Sequence, residues 1–241
     1  MGPRERLQAP CRTRRTDRRG PWPGRPRRAR RAGGRDRAPP ARPHRRLRLR
    51  RRRGGGGVGT RRIYSNTGFE VLAAHLEDAT GYDYDDWMEQ TVVQGLDLVD
   101  LEVAGSPAAG YRGSIRDLLA VGRELLAPTL IPEELWREAT GVQFPGLAGI
   151  LPGYGRQKPN DWGLGFEIRG QKDPHWTGAN SSPQTFGHFG QAGSFLWVDP
   201  AAGLTAAFLG EKPFGPDHVK IWPGLTDAIL ERFADRGGTV R

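Results

Sequence analysis

The side chains best equipped for chemistry fall in two short stretches about 120 residues apart. The first is Tyr64-Ser65-Asn66, a phenol, a hydroxyl and an amide in consecutive positions just ahead of a helical stretch. The second is Gly187-His188-Phe189-Gly190, on a predicted strand, followed by Gln191-Ala192-Gly193-Ser194. A phenol titrates near ~10, so Tyr64 can act as a base near neutrality only where a close cation stabilises its phenolate. His188, expected on an exposed strand edge, would supply positive charge when protonated, and Gly190 would let a ligand approach the backbone closely. A lone Tyr-x-Asn tripeptide is common; the two stretches together carry more weight than either does alone.

Little else competes. Cys11 is the single cysteine, so neither an intrachain disulfide nor a cysteine-based metal site is available. No His/Asp/Glu spacing suggests a metal, and no glycine-rich loop follows a strand as a phosphate cradle would, so no cofactor is expected. His75 reads as a helix-surface residue, His175 as a loop hydrogen-bonder, and Trp162, Trp176 and Trp197 as packing residues rather than a ligand cage.

The elements that must position these residues are readable from periodicity. Thr67 and Glu70 have capping-box spacing, and Phe69, Leu72, Leu76 and Ala79 form one face of a helix that Gly81 ends. A second helical stretch is expected from Asp83 to about Gln94, with Trp87 and Val92 as core anchors. Ser114 with Asp117 opens a third helix with a Leu118, Val121, Leu125 stripe, and Pro128 stops it. Pro132, Glu133 and Glu134 suit the first turn of a fourth. After a Gly/Pro-rich stretch from Gly141, strands are predicted over Gly163 to Ile168, Thr185 to Phe189, Ser194 to Val198 and Leu204 to Leu209, the last two forming an antiparallel hairpin. Leu225, Ala228, Ile229 and Phe233 mark a terminal amphipathic helix with Pro223 in its first turn. Helices first, then an antiparallel sheet closed by a helix, is an α+β fold.

Residues 1–60 are a different kind of polymer. Residues 1 to 62 hold 24 Arg against Glu5, Asp17 and Asp36, a charge of +21, so the whole-chain +10 leaves −11 for the remainder. With few apolar residues and no period, the segment cannot offset its ordering entropy and is expected to be a disordered Arg/Pro/Gly-rich arm. Its composition fits GC-rich codons translated out of frame; the alternative is an evolved tail that binds nucleic acid non-specifically through its arginine clusters. Residues 61–241 are long enough for one domain with a sizeable core. Neither a signal peptide nor a membrane-spanning stretch is visible, so the chain as written reads as soluble and cytoplasmic.

From Ile63 to about Phe233 the sequence resembles the serine β-lactamase and penicillin-binding-protein superfamily, in its class C β-lactamase-related hydrolase branch. The resemblance rests on Tyr64-Ser65-Asn66 before a helix ending in Thr80-Gly81, on His188-Phe189-Gly190, and on the following Phe195-Leu196-Trp197-Val198-Asp199-Pro200. Pro145 to Gly149 and Asn160 to Gly165 look like members of the same branch. It implies an incomplete transpeptidase-like α+β fold, C-terminal part only, acting on a small-molecule or peptide-like acyl substrate. By resemblance Tyr64 is the general base or acid, Asn66 a substrate or lysine contact, His188 and Gly190 the facing wall, and the Gln191 backbone N–H an oxyanion-hole donor. The departure is the nucleophile: no serine in the sequence is followed three residues later by lysine, so the Ser-x-x-Lys that relatives place upstream is absent. The chain is therefore expected to be inactive as written, with a non-catalytic ligand-binding pseudoenzyme as the alternative. Ser65 would be a non-family nucleophile without an oriented base.

Overall fold

A computed structural model of the protein describes residues 57, 59–103 and 105–234. The chain divides into two compact units, Met1–Arg51 and Arg52–Arg241, and the described residues all lie in the second. The expectations for the arm, its disorder and its nucleic-acid binding included, lie outside them except at Gly57, Gly59 and Thr60, and Arg62 is the first arginine past the arm with side-chain contacts to describe. That residue is built into the fold. Its backbone N–H donates to Ala148 O at 2.8 Å, and its guanidinium donates to the carbonyls of Asn160 (2.8 Å) and Gln143 (2.6 Å).

The helical half opens with α1 (Asn66–Thr80). Its N-cap is Ser65, not Thr67, and no side chain caps it. The expected capping box does not form because the helix begins at Asn66, which puts Thr67 inside its first turn, and Glu70 instead accepts a hydrogen bond from Ser106 Oγ at 2.9 Å. Gly81, at φ 74°, ends the helix and donates its N–H to Glu77 O, in the left-handed conformation that favours glycine. Only Ala73 of this helix is fully buried; Phe69 and Leu76 are half-buried, while Leu72 and Ala79 on the predicted apolar face are exposed.

Helix α2 (Tyr84–Met88) is capped by Asp83, whose carboxylate accepts from the N–H groups of Asp85 and Asp86. It runs into a π-helical turn, Glu89–Val93. The wider turn places Val93 in the core where a regular helix predicts Val92. Helix α3 (Ile115–Leu126) has the anticipated N-cap, Ser114 Oγ accepting from Asp117 N–H at 3.3 Å. The Asp117 carboxylate instead accepts from the N–H of Asp100 at 2.7 Å and of Val99 at 3.4 Å, fixing the preceding loop. Pro132 is the N-cap of α4 (Glu133–Thr140), one position earlier than expected.

The Gly/Pro-rich stretch contains a small hairpin that the sequence reading did not anticipate, β1 (Gly149–Leu151) paired with β2 (Gly155–Gln157). The main sheet has the order β3-β4-β5-β6 and is antiparallel throughout: β3 (Glu167–Ile168), β4 (Phe186–Gly190), β5 (Ser194–Asp199) and β6 (Leu204–Phe208). β3 is shorter than its prediction because Trp162 to Glu167 makes a tight turn, with Gly163 N–H on Phe166 O at 2.8 Å.

Side-chain alternation assigns the two faces. Phe189, Phe195, Trp197 and Ala206 point to one face, where Trp222 and Leu230 of α5 (Pro216–Phe233) close the larger core. Phe186 and Val198 point to the other, packed with Ile168, Leu125 and Trp136. Gly122 lets α3 lie close on this second face, since a Cβ there would run into Thr205 Oγ1 and Leu196 Cδ1. The result is an α+β fold with helices on both faces of an antiparallel sheet. α5 starts seven residues before Pro223, at Pro216; Pro223 therefore lies inside the helix rather than in its first turn.

Candidate functional site

β4 brings His188 and Gly190 to the face that carries α3, and β5 adds Ser194 beside Gly190. The extended entry into α1 brings the tripeptide to the same place. Ser65 is extended (φ −153°, ψ 120°), so it diverges from its neighbours: Asn66 lines the cavity against β4, while Ser65 lines a separate groove. Ser65 thus lines the groove and not the cavity that holds His188.

All five residues singled out from the sequence, Tyr64, Asn66, His188, Gly190 and Gln191, line one cavity of about 460 Å³. Tyr64, Trp162 and His188 form an aromatic triangle on its wall, with ring centroids 5.3 Å apart for Tyr64–His188, 5.7 Å for Tyr64–Trp162 and 5.6 Å for Trp162–His188. The opposite wall is the loop at Pro107–Ala109 with Tyr111, which Ser106 fastens to Glu70 and the Tyr111 hydroxyl fastens to that of Tyr84 at 2.9 Å. Gly190 has no packing reason to be glycine: an added Cβ would meet only Ser194 Oγ at 3.6 Å and Ala192 N at 3.9 Å. The space its missing side chain leaves belongs to the cavity.

Electrostatics revise two expectations. Partial burial raises the Tyr64 phenol above its ordinary value, and it faces a histidine rather than a cation, so Tyr64 is a hydrogen-bond donor near neutrality and not a phenolate. His188 pairs with Leu196 of β5 while the β3 ladder stops at Gly187, so β4 is unpaired on that side at His188, as expected, but the residue is half-buried rather than exposed. Burial lowers its pKa, outweighing the Phe189 backbone hydrogen bond and the Glu167 charge, so its ring is neutral there.

Glu167 is the residue sequence reasoning missed. It is 2% exposed, stands opposite Gly187 in the sheet, and lines the cavity. Its carboxylate accepts from Lys172 Nζ, from Trp176 Nε1 at 2.8 Å and pairs with His175 Nε2 at 2.9 Å. Burial opposes the charge, but the His175 ring and the Lys172 ammonium outweigh it and hold the carboxyl at about 2. His175 Nδ1 accepts from Thr177 N–H at 3.1 Å, which leaves the proton of the neutral ring on Nε2, facing the carboxylate. His175 is thus a buried loop hydrogen-bonder, as expected of it. A signal existed in the sequence: an acid inside an apolar strand needs a partner, and Lys172 and His175 lie five and eight residues away.

Trp176 and Trp197 are core residues, 1% and 0% exposed, in keeping with the packing role expected of them. Trp162 differs, since it separates the cavity from a second groove of about 480 Å³ lined by Ile63, Phe69, Leu72 and Leu164, and its indole N–H meets no acceptor. Among the described residues no cluster of three His, Cys, Asp or Glu side chains is placed to hold a metal ion, and no helix is long and apolar enough to cross a membrane.

The family model described as Beta-lactamase matches residues 28–229, a match that begins inside the basic segment rather than at Ile63. A beta-lactamase crystal structure from Mycobacterium bovis is 46% identical, with a TM-score of 0.71 over 73% of this chain and 66% of that one. A putative beta-lactamase from Bacteroides dorei shares the fold at 13% identity, with a TM-score of 0.56 over 74% of this chain and 60% of that one. A Salmonella paratyphi B protein named "Putative D-alanyl-D-alanine carboxypeptidase" is 26% identical over 204 residues, covering 66% of this chain and 47% of its own length. The chain spans about half the length of the curated relatives it matches. With its antiparallel sheet, its helices on both faces and a family match over most of its length, the chain belongs to the beta-lactamase family.

Proposed function

We propose that this chain carries the C-terminal, substrate-facing part of a β-lactamase-related serine hydrolase, and that as it stands it binds a small acyl ester, amide or peptide-like ligand without turning it over. The observation that carries this reading is the convergence of Tyr64, Asn66, His188, Gly190 and Gln191 on one cavity in a chain with no Ser-x-x-Lys. In this reading the Asn66 amide holds the acyl group, the Gln191 backbone N–H meets the carbonyl oxygen, and Tyr64 donates from its hydroxyl. The acyl-enzyme step of the family needs a serine oxygen to attack that carbonyl and a lysine to handle its proton, and the sequence provides neither in the required spacing.

Incubation of the full chain with a fluorophosphonate probe is expected to give no serine adduct, and nitrocefin is expected to remain unhydrolysed. A stoichiometric adduct would sink the claim of inactivity. The formed cavity supports the binding half of the reading: an acyl ligand is expected to raise the melting temperature, and Asn66→Ala to abolish the rise.

A further inference from the structure

Resting on that reading of the cavity, we propose that it takes neutral acyl esters and amides and excludes ligands that carry a carboxylate beside the acyl group.

The lining contains no lysine or arginine. Its ionisable members are His188, Glu167 and the phenols of Tyr64 and Tyr111; burial keeps the His188 ring neutral, and the buried Glu167 carboxylate is paired with Lys172 and His175 on the other face of the sheet. The two cations next to the site are both engaged away from it. Lys172 has three N–H donors, and they meet Glu167 Oε1, the Ile168 carbonyl and, at 2.7 Å, the Asp161 carbonyl. Arg62 lies on the groove side of Trp162, with its guanidinium on the carbonyls of Asn160 and Gln143.

A carboxylate entering this cavity exchanges its hydration for neutral donors alone, with no cation in the lining to compensate. A neutral carbonyl has lower demands. The Asn66 amide and the Tyr64 hydroxyl line it, while Leu151, Pro152 and Phe189 give an acyl chain an apolar surface. A cavity of about 460 Å³ suits a small drug-sized ligand of that kind.

The test is equilibrium binding to the full chain, followed by tryptophan fluorescence, of matched pairs: benzylpenicillin and its methyl ester, and N-acetyl-D-alanyl-D-alanine and its methyl ester. Each ester is expected to bind at least about tenfold more tightly than its free acid. Ala192→Lys, at an exposed position on the cavity rim, is expected to shrink that ratio by strengthening acid binding, with the ester little changed. Free acids that bind the unaltered chain as tightly as their esters overturn the charge rule; if Asn66→Ala then weakens both forms, the acyl-site reading survives without it. Absence of binding by every ligand overturns both. A ratio that Ala192→Lys leaves untouched in a variant with parental melting overturns the electrostatic cause.

Discussion

At the scale of single residues, Tyr64 and Glu167 teach opposite lessons. Tyr64 was visible in the sequence, yet its protonation was not, because that depends on which charges the fold brings near it. With His188 neutral and no cation on the wall, the phenol is expected to ionise above pH 10, and the 295 nm absorbance titration of Tyr64→Phe, subtracted from that of the parent, should show one lost transition above that pH. A lost transition near neutrality would restore the general-base role. Glu167 was hidden among apolar neighbours, and its importance emerged only once Lys172 and His175 were seen to converge on it. Its folded value of about 2 lies below its ordinary 4.5, so its stabilisation is complete above pH 4.5 and is lost as pH falls towards 2. His175 acts in the same direction at higher pH: burial depresses it below 6.5, so the unfolded chain takes up this proton first and stability begins to decline as pH drops through 6.5. Urea midpoints should therefore fall from pH 7 to 5 and again from pH 5 to 3, with the first fall reduced in His175→Gln. Glu167→Gln leaves Lys172 buried without its charge partner and is expected to cost about 3–5 kcal/mol in the same titration at pH 7.

At the scale of elements, the hairpin of β5 and β6 and the helix α3 were legible because their cues are local: turn residues between two β-branched and aromatic runs, and a serine cap before an apolar stripe. The departures came from cues that only tertiary structure supplies. The π-helical turn shifts burial from Val92 to Val93, and α5 begins at Pro216, a proline suited to a first turn, ahead of the proline chosen from sequence. The close approach of α3 to the sheet was equally invisible, since a glycine inside a helix reads only as a weakness. Gly122→Ala is expected to push α3 away from Leu196 and Thr205 and to cost about 1–3 kcal/mol by overpacking, measured as a lower urea midpoint at unchanged slope.

At the scale of the whole molecule, the clearest feature of the sequence was the change of composition near residue 61, and Arg62, just past it, is fixed to the domain through three backbone carbonyls and a bridge to Gly149. Beside that entry lies the groove along α1, rimmed by Ile63 at 66%, Leu72 at 52% and Leu164 at 54% exposure. Apolar surface so arranged binds dyes and other chains. The purified protein is expected to enhance anilinonaphthalene sulfonate fluorescence in its native state and to scatter more light as its concentration rises; a monomeric, cooperative melt without dye binding would contradict this.

Trp162 closes the account between the two concavities. With Tyr64, its indole lines both the cavity that holds the family motifs and the groove along α1, so a ligand in either is expected to alter the emission of the same chromophore.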